Sequence, residues 1–158
     1  MLIAVIDTDA RRNRELQGAN MVAYRFYPDT PEKGYDTQNG WVPLNALALF
    51  EVVNNQVNWY GDPRDVIRRI AREEWELGVS DAAPWDLLEQ ASLASLRFRE
   101  AAAACDEYER TTYDGGFCEE EAARLEAVYN ARHEDFKAIV RPLENIALVV
   151  VGDTLTPA

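Results

Sequence analysis

The chain of 158 residues has one histidine, two cysteines, and 16 lysines and arginines against 28 acidic residues. Each scarcity excludes something. His133, Cys105 and Cys118 offer no CxxC pair and too few soft ligands for a zinc site. Two cysteines do not make a disulfide framework, so two reduced core thiols are expected. A formal net charge of −12 lacks the basic footprint that direct nucleic-acid binding needs. The same charge is repelled by an anionic membrane surface. No run of about 18 apolar residues is present, which argues against a transmembrane helix. The opening residues 2–6 are too short for a signal-peptide core and have no basic region before them. The expected location is therefore cytoplasmic, in a bacterium or in the host cell of a phage.

What is present supports a packed core. Apolar residues make up 47% of the chain and aromatic ones 10%, too rich a mixture for a disordered polypeptide. One domain spanning residues 1–158 is the default at this length. Residues 2–6 are a continuous apolar run and predict a strand. Residues 21–27, rich in Val and aromatics, predict a second. Pro28, Pro31, Gly34 and Gly40 make 28–42 a loop, after which Pro43 opens a short helix over 44–50. Val52-Val53, Asn54-Asn55 and the run 56–60 suggest a hairpin turning on the two asparagines. Asp62 and Pro63 form a helix entry, with the helix running to about residue 77 and Gly78 as its cap.

From Pro84 the period becomes helical. Leu88, Ala91, Ser95, Phe98, Ala102 and Cys105 recur at intervals of three and four. Asp114-Gly115-Gly116 interrupts them. Leu125, Val128, Arg132, Phe136, Ile139 and Leu143 then mark one side of a second helix. The short connection makes the two antiparallel neighbours. Residues 146–151 suggest a last, buried strand. The expected class is α+β: a small mixed or antiparallel sheet with one packed helix, and a long antiparallel helical hairpin. A sheet-rich part would span 1–80, the hairpin 84–142 and a returning strand 145–151.

The strongest functional signal lies between Glu100 and Glu121, where eight carboxylates stand against the single Arg110. That stretch carries more than half of the chain's net charge. Glu119, Glu120 and Glu121 suit a helix N-terminus through the macrodipole, and a solvated helix tip explains them. Asp106, Glu107 and Glu109 approach a helix C-terminus, where anions are disfavoured, so they ask for another reason. Carboxylates three, four or seven positions apart share a helix face, as Asp106 does with Glu109 and Glu100 with Glu107. Rows of this kind could occupy a basic nucleic-acid groove in place of DNA, whose charges fall every ~1.7 Å of axis. Glu100, Asp106, Glu107, Glu109 and Asp114 are the candidate partner-binding residues.

The chain ends carry a second candidate. An apolar strand runs into Asp7-Thr8-Asp9, and another into Gly152-Asp153. If the two strands were parallel neighbours, Asp7, Asp9 and Asp153 could hold Mg²⁺ through hard oxygen ligands. This arrangement resembles the haloacid dehalogenase-type phosphatases, whose first motif is a hydrophobic strand followed by Asp-x-Asp and whose last metal motif begins Gly-Asp. The resemblance covers about a dozen positions and implies Asp7 as nucleophile, Asp9 as acid/base and Asp153 as metal ligand. The family's later Asp falls here on Pro157. A likeness of residues 72–79 to the Nudix hydrolase core fails by one residue of register, which turns the carboxylates by about 100° around the helix.

His133, beside Glu134 and Asp135, is expected as a surface histidine paired with a carboxylate. Arg64, Arg68, Arg69 and Arg72 are expected to pair with Glu73, Glu74 and Glu76 on a solvated face. Trp41, Trp59, Tyr60, Trp75 and Trp85 are candidate core or interface anchors. The leading expectation is a non-catalytic acidic protein-binding module without a cofactor. Its partner would be a protein with a basic surface, and its closest analogy of charge is to phage antirestriction and anti-CRISPR inhibitors. A Mg²⁺-dependent phosphohydrolase through Asp7, Asp9 and Asp153 is the alternative, and a structural subunit of a larger assembly a third.

Overall fold

A computed structural model describes residues 44–158 in full and, before them, the backbone of four short strands. These are β1 (Ala4–Ile6), β2 (Tyr24–Phe26), β3 (Tyr35–Asp36) and β4 (Trp41–Val42). β1 pairs antiparallel with β2, the two strands expected from residues 2–6 and 21–27, and β3 pairs antiparallel with β4 inside the stretch expected to be loop.

The first described helix, α1 (Ala46–Asn54), starts two residues later than expected and runs four residues further. Its N-cap is Asn45, whose Oδ1 accepts from the Ala48 N–H at 2.9 Å. The helix absorbs Val52 and Val53, both buried, so the hairpin expected over 52–60 does not form. The reason is tertiary: the side chain of Asn54 is engaged by groups from other elements rather than by a local turn.

α2 (Pro63–Trp75) begins where the sequence predicts it, on Asp62 as N-cap with Pro63 following. Val66, Ile67, Ile70 and Ala71 form its buried stripe. Its end differs from expectation. Glu76, at φ 55°, takes the left-handed capping position, which frees Gly78 to open β5 (Gly78–Val79). Among the described residues no ion pair joins the arginines of α2 to Glu73, Glu74 or Glu76, and Arg72 reaches only the main-chain carbonyl of Glu76, at 3.2 Å. Arg64 bonds Glu89 at 2.7 Å and Arg68 bonds Asp81 at 2.6 Å, while both guanidinium groups lie over the Trp85 ring.

α3 (Trp85–Thr111) and α4 (Glu119–Val140) form the long antiparallel hairpin, and a 3-10 turn (Arg141–Asn145) leads into β6 (Leu148–Val151) and β7 (Thr154–Pro157). β6 and β7 are antiparallel, joined by a tight turn at Gly152-Asp153, and β7 lies parallel to β5. The result is α+β: a small mixed sheet in the order β5-β7-β6, with α2 against it and the hairpin packed on α1, α2 and the 3-10 turn. The expected final strand is thus one arm of a β-hairpin, and it is half-buried rather than buried, with Val151 65% exposed.

One hydrophobic core joins α1, α2, the first turns of α3, the 3-10 turn and the sheet. Phe50, Leu49, Ile67, Leu88, Leu143, Leu148 and Leu155 are fully buried in it, each stabilising by about 1.5–3 kcal/mol relative to exposure. In α3 the buried positions stop at Ala101, and α4 has none. The distal half of the hairpin therefore stands clear of the core.

Candidate functional site at the end of the helical hairpin

A column of rings carries the core into the hairpin. Trp59 stacks on Phe50 at 5.7 Å and Phe50 meets Phe136 at 6.2 Å. Phe136 stacks on Phe98 at 6.0 Å, and Phe98 touches Tyr129 at 5.1 Å and His133 at 4.8 Å. Such pairs contribute about 0.5–1.5 kcal/mol each beyond their burial. His133 is therefore a seam residue packed on Phe98, not the surface histidine the sequence suggests. Tyr129 occupies the seam position expected for Val128, which is 39% exposed. That shift by one position follows from where the rings of α3 stand.

Past Tyr129 the seam changes character. Ala102 and Cys105 on α3 face Ala122 and Leu125 on α4, and small side chains leave space between the helices. The space is a groove of roughly 630 Å³, walled by Tyr108, Phe117 and Tyr129. Its rim carries Asp106, Glu109 and Glu126. Cys105 is half-buried on the groove floor and Cys118 is exposed, both as free thiols, so neither lies in the core.

The connection between the helices is held by one hydroxyl. Tyr108 Oη accepts from the Cys118 N–H at 2.6 Å and donates to the Cys118 carbonyl at 3.1 Å. This fastens the start of α4 to the last turns of α3 and sets the Phe117 ring 6.1 Å from that of Tyr108. Phe117 remains 62% exposed and Tyr113 88% exposed. Two such rings on one loop are an apolar surface that water does not favour.

Of the five candidate partner-binding residues, all are exposed and all lie on the distal half of the hairpin or its loop. They do not act alike. Glu107 pairs with Arg110 one turn away, and the bond raises the Arg110 guanidinium above its ordinary value. That pair answers the helix-end objection for Glu107. Asp106 and Glu109 lie on the groove rim, Glu100 further down α3, and Asp114 on the loop. None of these four has an ion pair among the described residues. On α4, Glu121 pairs with Arg124, and the bond from the guanidinium holds the carboxyl below the usual range. Glu119 and Glu120 open the helix without an ion pair among the described residues, in its first turn, where its dipole favours them. The groove itself is invisible in the linear charge pattern; its only trace is the pairing of alanines, Ala102 and Ala122, at seam positions where core residues are expected.

The other candidates lie elsewhere. Asp153 is exposed in the β6–β7 turn. Asp7 and Asp9 lie outside the described residues. The described ladders join β1 to β2 and β6 to β7, so none of them makes the two Asp-bearing strands parallel neighbours. Among the anchors, Trp59 and Trp85 are buried, Trp75 is half-buried and Tyr60 is exposed, and the Trp41 side chain lies outside the described residues.

No family model, curated protein or solved structure matches this chain.

Proposed function

We propose that the protein is a non-catalytic binding module that engages a basic surface of another protein through the distal end of its hairpin. The observation that carries this reading is the coincidence, on one helix pair, of unpaired carboxylates with exposed aromatic rings. Carboxylates alone would serve solubility. Exposed Tyr113 and Phe117 beside them combine an apolar anchor with a charged rim, the composition of a protein-binding patch. The surrounding acid would steer a basic partner to the hairpin and discourage others.

Nucleic-acid mimicry is the narrower form of the same proposal. It asks for uninterrupted rows of carboxylate, whereas here an apolar groove lies between the acidic edges. A basic protein segment suits that arrangement better than a groove shaped for DNA. The test is association with a nuclease whose nucleic-acid channel is basic. Co-elution that weakens with salt and disappears when Asp106, Glu107 and Glu109 are all changed to Lys is the expected result. Binding that survives the reversal contradicts the proposal.

A further inference from the structure

We infer that the groove between α3 and α4 receives one turn-repeated face of a basic amphipathic helix from a partner protein. The inference rests on the reading of the hairpin end as a protein-binding surface, and it names the occupant.

Among the described residues, no third element fills the gap in the seam of these two antiparallel helices. The floor is formed by Ala102, Ala122 and Leu125, and the rim by Asp106, Glu109 and Glu126. From Ala102 to Glu109 the helix rises by about 10 Å, two turns. A segment lying along it would therefore present apolar side chains spaced as i, i+3 or i+4, and i+7, the pattern of helix-in-groove recognition. An extended strand finds no open sheet edge here and would leave its own backbone groups unpaired. Small floor residues leave room for branched aliphatic side chains to descend between the helices.

Charge selects among helices. Lys or Arg flanking the apolar stripe would meet Asp106 and Glu109 on one side of the groove and Glu126 on the other, none of which has a described ion pair. A second copy of this chain is disfavoured as occupant. It would bring its own acidic hairpin end against this one, with Glu119 and Glu120 exposed on both. An acidic or neutral helix would leave the rim uncompensated.

The experiment uses the full chain and three labelled synthetic peptides, followed by fluorescence anisotropy at low and moderate salt. One is a Leu/Lys helix with Leu at heptad positions; the second has the same composition scrambled; the third is an oligolysine of equal charge. The amphipathic peptide should bind at least about tenfold more tightly than the other two. Ala122→Phe, which fills the floor, should abolish that margin and leave oligolysine binding unchanged. Leu125→Asn serves the same purpose if Ala122→Phe does not fold. Equal binding of the amphipathic and scrambled peptides overturns the groove assignment while leaving the acidic surface as a binding site. Absence of binding by all three at low salt overturns both. Self-association of the free chain that Ala122→Phe removes gives the groove to a second copy and also overturns the inference.

Discussion

The guanidinium of Arg99 donates to the main-chain carbonyl of Asn54, 45 residues away in sequence, and to Asn54 Oδ1 at 3.0 Å. Asn54 ends α1 and Arg99 stands midway along α3, so the contact caps one helix with a cation from another. The same Oδ1 accepts from Trp59 Nε1 at 2.8 Å and from Ser95 Oγ at 2.6 Å, and Arg99 also reaches the Val57 carbonyl. Burial lowers the Arg99 pKa from its usual value, which leaves it charged near neutrality because guanidinium groups start so high. This node ties the middle of α3 to the end of α1.

Removing either partner strands the other. Arg99→Met and Asn54→Leu should each cost about 2–3 kcal/mol, as charged hydrogen bonds lost from a part-buried site do. Urea melts of the single and double variants should show a double effect smaller than the sum by about 1 kcal/mol or more. Asn54→Asp keeps the acceptor and should stay within about 1 kcal/mol of the parent. Additive single effects would mean that the node does not act as a unit.

Two residues in left-handed backbone give opposite expectations. Glu76 sits at φ 55° and Gly152 at φ 65°. A side chain in that region costs about 1–2 kcal/mol, partly offset by the extra freedom glycine has when unfolded. Glu76→Gly should therefore raise stability by up to about 1 kcal/mol, and Gly152→Ala should lower it by about 1 kcal/mol. Gly152 is the first central residue of the β6–β7 turn and Asp153 has no positive φ, the arrangement of a type II′ turn. Calorimetric melting points of the two variants check both signs.

The Glu121–Arg124 pair gives a pH dependence. Its bond lowers the folded-state pKa of Glu121 below the unfolded value. The contribution is therefore present above the unfolded pKa and lost as pH falls through the lowered one. Arg124→Gln should narrow the melting-point difference between neutral and acidic solution. The effect should be small and vanish in high salt, because the pair is exposed. An Arg124→Gln difference that persists fully in acid would contradict this account.

Tyr113 and Phe117 are exposed and stand outside the core cluster of the described residues, so Tyr113→Ser and Phe117→Ser should change stability by less than about 0.5 kcal/mol for Tyr113 and little more for Phe117. Both should weaken partner association. A large loss of stability would make them structural rings instead.

Much of the fold is legible in the sequence, and for physical reasons. Asp62-Pro63 announces α2 because capping is local, and the hairpin follows from apolar residues spaced three and four apart. The failures are tertiary. Asn54 resembles a turn residue until Trp59, Ser95 and Arg99 occupy its side chain. Glu76 takes the cap expected of Gly78 because the chain must turn into β5 at once. The acid at Asp106 and Glu109 stands out in the sequence, but the groove it rims does not, since that depends on alanines from two helices meeting across a gap. Val128 and Tyr129 differ by a single position, and only the rings of α3 decide which one enters the seam.

In the proposed function, partners arrive at the hairpin end. A photo-crosslinking amino acid at position 113, in cells that make this protein, tests it directly against the same group at position 153 in the β6–β7 turn. The expected result is a discrete adduct with a basic protein from position 113, none from 153, and loss of the adduct when Asp106 and Glu109 are changed to Lys. Adducts of equal yield from both positions, or an adduct from 113 that survives the charge reversal, would contradict it.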